Sequence, residues 1–195
     1  MTFSVQQSPT ASITYTKATT QEHFQQILKL QSENLYSALT PEQQADQGFV
    51  FAQHTLEILQ QMAEQEPQII ALHQDQVVGY NLSMPLTMAN VLPSLKPMFE
   101  QFDKIDFKGR LLTSYSIVVG GQVCVDARYR GQGLLHQLYT HTKNHLCDRY
   151  ALCVTEIATR NTRSLKSHER AGFEIAATYH DGVEEWHIVV LDFRK

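Results

Sequence analysis

The sequence predicts an α/β domain, with a mixed, mostly antiparallel β-sheet flanked by helices. Three stretches carry that expectation. Residues 115 to 157 read as strand, amphipathic helix and strand, a unit whose two strands should be neighbours. Residues 69–84 and 173–193 each read as two β-prone runs about a short polar turn, the mark of an antiparallel hairpin. A chain of 195 residues suits one compact domain, residues 13–195, behind a disordered tail, residues 1–12, which are polar and aperiodic.

The elements follow in order along the chain. Ile13, Tyr15 and Lys17 alternate as in a short strand, and Thr19 and Glu22 stand at capping-box spacing ahead of Phe24, Ile27 and Leu28 at helical intervals. Thr40-Pro41-Glu42-Gln43 repeats the helix-start signal and Gly48 stops it, while a further helix carries Thr55, Leu56, Leu59 and Met62 on one face before Pro67. Two helices on this reading precede the first hairpin, which turns at Gln74-Asp75-Gln76. The connection from Pro85 to Leu112 is long for a strand link. Leu95, Met98, Phe99 and Phe102 predict an amphipathic helix within it, and a segment of that size is expected to wall a substrate pocket. Tyr115 to Val125 is apolar and β-prone, and Gly120-Gly121 marks a bulge or a close backbone approach. Leu134, Leu135, Leu138, Tyr139, Thr142 and Leu146 form the inner face of the next helix, and Leu152 to Ile157 is an apolar strand. A last helix, Thr162 to Ala171, stops at Gly172, and Asp181-Gly182 turns the final hairpin.

Composition narrows the function. Hydrophobic residues make up 43% of the chain and charged residues 18%, as in globular proteins, and the net charge of −4 comes without a cluster of Lys and Arg. Nucleic acid and anionic membrane are therefore not expected as partners, because both demand a concentrated positive surface. Cys124, Cys147 and Cys153 form no CxxC pair and lie among apolar residues, which predicts reduced core thiols rather than a disulfide framework, and a cytoplasmic location. No apolar run approaches membrane-spanning length, and Met1 to Ser12 lacks the basic and apolar regions of a signal peptide.

The chemistry concentrates in Arg128-Tyr129-Arg130-Gly131-Gln132-Gly133, set between an apolar strand and an amphipathic helix. Two glycines let the backbone approach a ligand, and the helix starting at Leu134 offers unpaired N–H groups with the positive end of its dipole. Arg128 and Arg130 add cationic side chains that suit a pyrophosphate. The chain has no G-x-x-x-x-G-K-[ST], and the third glycine and later acidic residue of a dinucleotide fingerprint are missing, so ATP and NAD are not expected. A second group, Asn161, Ser164 and His168, shares one helical face ahead of Gly172-Phe173.

Val123-Cys124-Val125, then R-x-x-G-x-G, then a strand, then N-x-x-S-x-x-x-H-x-x-x-G-F resembles the two cofactor motifs of the GNAT-type N-acetyltransferases, over about residues 113–193. The resemblance implies a sheet splayed at its centre, acetyl-CoA or another acyl-CoA as co-substrate, and an amine acceptor, small molecule or peptide. It implies that the backbone of Val123, Cys124 and Val125 pairs with the pantetheine arm, that Arg128 to Leu134 hold the pyrophosphate, and that Asn161, with Ser164 beside it, contacts the pantetheine arm. His168 stands where the family often has a Tyr that protonates the leaving thiolate. An imidazole can serve as that acid, or it can be a packed core residue.

Attack by an amine needs a base, and Glu156, alone in an apolar strand, is the candidate; the other reading is an ion pair with Arg160 or Arg163. Glu184 and Glu185 could attract a cationic acceptor or form a solvated strand end. Cys124 has no His partner at hand and reads as a core thiol rather than a nucleophile. His136, His141 and His145 share a helix without a third metal ligand placed among them, so no metal is expected. The expected reaction is direct acyl transfer in a ternary complex. A non-catalytic acyl-CoA-binding module and an O-acyltransferase are the alternatives, and a homodimer is compatible with either.

Overall fold

The computed structural model describes residues 12–195. Apart from Ser12, the stretch expected to be a disordered tail lies outside the described residues. The elements are β1 (Ile13–Lys17), α1 (Gln21–Ser32), α2 (Pro41–Gln47), α3 (Leu56–Gln65), β2 (Ile69–His73), β3 (Gln76–Pro85), α4 (Lys96–Phe99), β4 (Asp106–Phe107), β5 (Arg110–Leu111), β6 (Ile117–Val125), α5 (Leu134–Leu146), β7 (Leu152–Ala158), α6 (Thr162–Arg170), β8 (Glu174–His180) and β9 (Glu185–Asp192). Seven strands form one sheet in the order β1-β2-β3-β6-β7-β9-β8. Every pairing is antiparallel except β6 with β7.

Local chemistry accounts for the helix starts. Thr40 and Gln43 close a reciprocal capping box on α2, and Thr55 caps α3 through the Ile58 N–H. Thr55 is thus a cap rather than part of the apolar face. At α1 the cap is Thr20, which accepts from the His23 N–H, one residue later than the spacing of Thr19 and Glu22 suggested. Because α2 stands alone as a seven-residue helix, three helices rather than two precede the first hairpin.

Helices cover both faces of the sheet. Phe24, Ile27 and Leu30 of α1 and Leu59 and Met62 of α3 pack with Tyr80, Leu82, Val119 and Val154 on one face. On the other, Tyr139 and Leu146 of α5 meet Val118, Cys153, Ile157, Phe173 and Val189. The 85–112 connection differs from expectation. Its α-helix is four residues long, and the rest is short helical turns and the β4–β5 ribbon. Met88, Leu92, Leu95, Met98, Phe102 and Phe107 are nevertheless buried in the main core, so this segment behaves as core beside the start of β6.

Two irregularities shape the centre of the sheet. Leu82 pairs with Gln122 while Ser83 pairs with Gly120, which leaves Gly121 as the extra residue of a bulge. A Cβ at Gly121 would stand 3.2 Å from Met62 Cε, so the glycine admits α3 close to the strand. The β6–β7 ladder ends at Val119 and Val154, although both strands continue. Beyond that point the strands splay, and the last link is the Thr155 hydroxyl donating to the Gly120 carbonyl at 2.8 Å.

Candidate active site

A cleft of about 730 Å³ opens at the splay. Val123, Cys124 and Val125 line it from β6, and Tyr129, Arg130, Gly131, Gly133 and Leu134 from the turn that follows. Along β6 one edge is spent on β3, and the edge turned toward β7 has no strand partner after Val119. Gly131 and Gly133 adopt φ of 76° and 81°, which bends the backbone so that the N–H groups of residues 131–136 find no acceptor among the described residues. Such a run of free amides at a helix start is an anion cradle. A Cβ at either glycine would meet nothing within 4 Å, so the turn faces open space.

The two arginines of the turn are placed differently. Arg128 is exposed and paired with Asp126, Nη2 to Oδ2 at 2.7 Å, and does not line the cleft. Arg130 donates to the Val125 carbonyl (2.9 Å), the Gln47 carbonyl (3.0 Å) and Asn34 Oδ1 (2.5 Å). Its acceptors are all neutral, so its charge still acts on the cleft. Gln132 is exposed and bonds back to the Arg128 carbonyl. The opposite wall was not foreseen from the sequence: it consists of Ala45 to Val50 at the end of α2, with Arg163, Lys166 and Arg170 from α6. The basic spacing along α6 was its only signal.

Ser164 lines the cleft, but Asn161 is buried beneath it. The Asn161 side-chain oxygen, Oδ1, caps α6 by accepting from the Ser164 N–H, and its side-chain amide donates to the Phe49 carbonyl at 3.0 Å. His168 is buried on the α5–α6 side. Its Nδ1 donates to the Ser164 carbonyl at 2.8 Å, which leaves Nε2 to accept from the Tyr139 hydroxyl at 3.0 Å. Burial pulls its pKa down to about 4, so both nitrogens are engaged in a neutral ring. That geometry is the packed-core alternative of the two readings.

Glu156 lies past the end of the β6–β7 ladder, on the opposite face of the sheet from His168. Neither Arg160 nor Arg163 pairs with it: Arg160 holds Glu184 at 2.7 Å, and Arg163 donates to the Asp46 carbonyl. The partner of Glu156 is Tyr179, a residue the sequence did not single out because the register of β8 could not be read from it. Burial, with a smaller contribution from Asp181, raises the Glu156 pKa to about 7 against the opposing Tyr179 hydrogen bond. Burial also raises the Cys124 thiol to about 12, which keeps it protonated; Cys153 is likewise a core thiol, whereas Cys147, at the end of α5, is exposed and not part of the core.

Fold, splay and amide cradle together define an α/β architecture with an anion-binding cleft where the sheet opens. A family model, Acetyltransferase (GNAT) family, matches residues 25–173, and the chain belongs to that family. No curated protein sequence matches the chain. Among solved structures, NAA60 from Arabidopsis thaliana in complex with acetyl-CoA is similar at 11% identity and a TM-score of 0.64, over 93% of this chain and 99% of that one. The ribosomal-protein-S18-alanine N-acetyltransferase from Escherichia coli is similar at 14% identity and a TM-score of 0.60, over 93% and 94%. The NatC complex bound to Gag peptide and CoA offers a chain 15% identical with a TM-score of 0.60, over 92% and 98%. At these identities the likeness is one of fold. Among the described residues no helix is long and apolar enough to cross a membrane, and no three metal-binding side chains cluster.

Proposed function

We propose that the protein transfers an acetyl or other small acyl group from acyl-CoA to an amine, in a ternary complex without a covalent enzyme intermediate. The observation that carries this reading is the run of free N–H groups at residues 131–136, opening into the cleft beside the unpaired edge of β6. The pyrophosphate would sit on those amides under the field of Arg130, with Arg128 and Gln132 at the outer rim. The pantetheine arm would follow the backbone of Val123 to Val125 past Ser164. The thioester then reaches the splay, where preorganised backbone donors can stabilise the oxyanion. Glu156 takes the proton of the attacking amine, its raised pKa suiting a base that works near neutrality. The engaged nitrogens of His168 favour solvent as the donor to the leaving thiolate, whose conjugate acid has a pKa of only about 8.5.

The solved relatives bound to acetyl-CoA and to CoA with a peptide support the cofactor class. Incubation with acetyl-CoA and a panel of amines, read by release of free thiol, tests the reading. Acceptor-dependent release is expected, whereas binding of coenzyme A with no release by any acceptor would establish a non-catalytic module. Release with alcohols and not amines would identify an O-acyltransferase.

A further inference from the structure

The backbone from Asp46 to His54 is held by side chains of other elements. Arg163 donates to the Asp46 carbonyl (2.7 Å), Arg130 to that of Gln47 (3.0 Å), Asn161 to that of Phe49 (3.0 Å) and Gln122 to that of Ala52 (2.8 Å). The Gln31 side-chain oxygen accepts the His54 N–H at 2.8 Å, and Val50 bonds through its backbone to Asn34 and Tyr36. Gln122 is itself fixed, since its oxygen accepts from the Tyr80 hydroxyl and from Gln31. At Gly48, φ is 72° and a Cβ would stand 3.0 Å from Asn161 Oδ1, so strap and amide meet with no room for a side chain.

What the strap holds in place is a set of rings. Phe49 packs with Ala158 and Trp186, and Phe51 meets Trp186 at 4.8 Å and Tyr36 at 4.6 Å between ring centres. Ala158 lies two residues beyond Glu156 on β7, and Trp186 and Tyr179 are its neighbours in register across β9 and β8. The rings therefore share the sheet face of the Glu156 carboxylate. Arg160, the cation over Phe49 and Phe51, is paired with Glu184, so the ring wall carries a planar, charge-balanced guanidinium and adds no net charge beside Glu156.

We propose that Asn161, Arg130 and Gln122 are positioning residues that hold the Asp46–His54 backbone so that Phe49 and Phe51 stand as a wall beside Glu156, selecting an amine carried next to a flat apolar group. This rests on the acyl-transfer reading, since a wall without transfer has no acceptor to select. It gives Asn161 an action on the acceptor, where the family resemblance implied contact with the cofactor.

Asn161→Asp separates the two roles, because it keeps an oxygen to cap α6 and, when ionised, turns a repelling acceptor toward the Phe49 carbonyl in place of the donor. Gln122→Glu likewise turns an acceptor toward the Ala52 carbonyl in place of the donor, and keeps the oxygen that serves Gln31 and Tyr80. Three measurements apply to each: amide hydrogen exchange of residues 46–54 in the free protein, coenzyme A affinity by calorimetry, and kcat/KM with phenethylamine and ethylamine as matched probes. The parent should favour phenethylamine by about tenfold or more, as burial of one ring allows. Each variant should lose most of that preference and exchange faster at Gly48 and Val50, with coenzyme A affinity within about threefold. Unchanged exchange, or a loss of coenzyme A affinity of about tenfold with the preference intact, overturns the positioning role. Equal or absent turnover of both amines by a parent that binds coenzyme A overturns the acceptor class. A parent that binds no coenzyme A is a separate result, which sinks the acyl-transfer reading and the acceptor role with it.

Discussion

The Tyr179 hydroxyl on β8 donates to the Glu156 carboxylate on β7, 2.5 Å away and two strands distant in the sheet. Burial and Asp181 favour the neutral acid, the phenol favours the carboxylate, and the balance leaves a pKa of about 7. In the role of base proposed for it, Glu156 works only when ionised, so kcat/KM for the acceptor should rise with pH through about 7. Glu156→Gln keeps the size and removes the base. It should lose that limb and about 10² to 10⁴ in turnover. Tyr179→Phe removes a bond that favours the charged form, so its limb should move to higher pH. Turnover of Glu156→Gln within a few-fold of the parent at every pH would make the carboxylate structural.

The proposed cofactor site places coenzyme A phosphates on the turn at Gly131. With φ at 76° and open space where a Cβ would sit, a side chain here is excluded by backbone strain rather than by collision. Gly131→Val should withdraw the amide run from its ligand and abolish the thermal stabilisation that saturating coenzyme A confers on the parent. A folded Gly131→Val protein that still gains the parent's full shift would show that the phosphates bind elsewhere.

Elements whose pattern is local were legible in the sequence. The hairpins, the α5 and α6 faces and the glycine turn all follow from periodicity, caps and turn residues within a few positions of one another. Partnerships across the sheet were not. That Glu156 meets Tyr179 rather than Arg160 depends on the β8–β9 register, which shifts between Ile175 and Ala177, and nothing in the residues announces that shift. Asn161 shows the same limit from another side. Its spacing from Ser164 predicts the helix start, while its bond to Phe49 joins residues far apart in the chain. The 85–112 connection misled for a third reason: its apolar residues recur at helical intervals, yet Pro93 and Pro97 break the run into short turns.

Because that connection is core, its loss should show in stability. Phe102 is 3% exposed within the main cluster, and a buried Phe→Ala change costs about 3–5 kcal/mol through lost transfer energy and the cavity left behind. Phe102→Ala should lower the urea midpoint accordingly, with coenzyme A affinity near that of the parent. An altered choice of acceptor at unchanged stability would instead place the segment at the substrate.

Acid should weaken the fold before its ion pairs are touched. His54 and His168 are buried, and desolvation holds each near a pKa of about 4, below the ordinary 6.5. His54 Nδ1 lies 2.7 Å from the Gln31 amide nitrogen, and with Gln31 Oε1 already taken by the His54 N–H, the ring nitrogen is the acceptor and a second proton has no place. A group whose folded pKa is depressed contributes stability above its unfolded pKa and loses it as pH falls through the folded one. Between pH 6.5 and 4 each imidazole should therefore withdraw roughly 3 kcal/mol. Asp192, held low chiefly by Arg194, keeps its contribution until pH drops below its unfolded value of 3.8. Glu156 works in the opposite direction, since its raised pKa makes the folded state relatively more stable as pH falls from 7 toward 4.5. Urea unfolding at a series of pH values should show a net decline across this window. The decline should be shallower in His168→Gln, which removes one imidazole, and steeper in Glu156→Gln, which removes the offset. Identical slopes in parent and His168→Gln would mean that the buried ring titrates alike in the folded and unfolded chains.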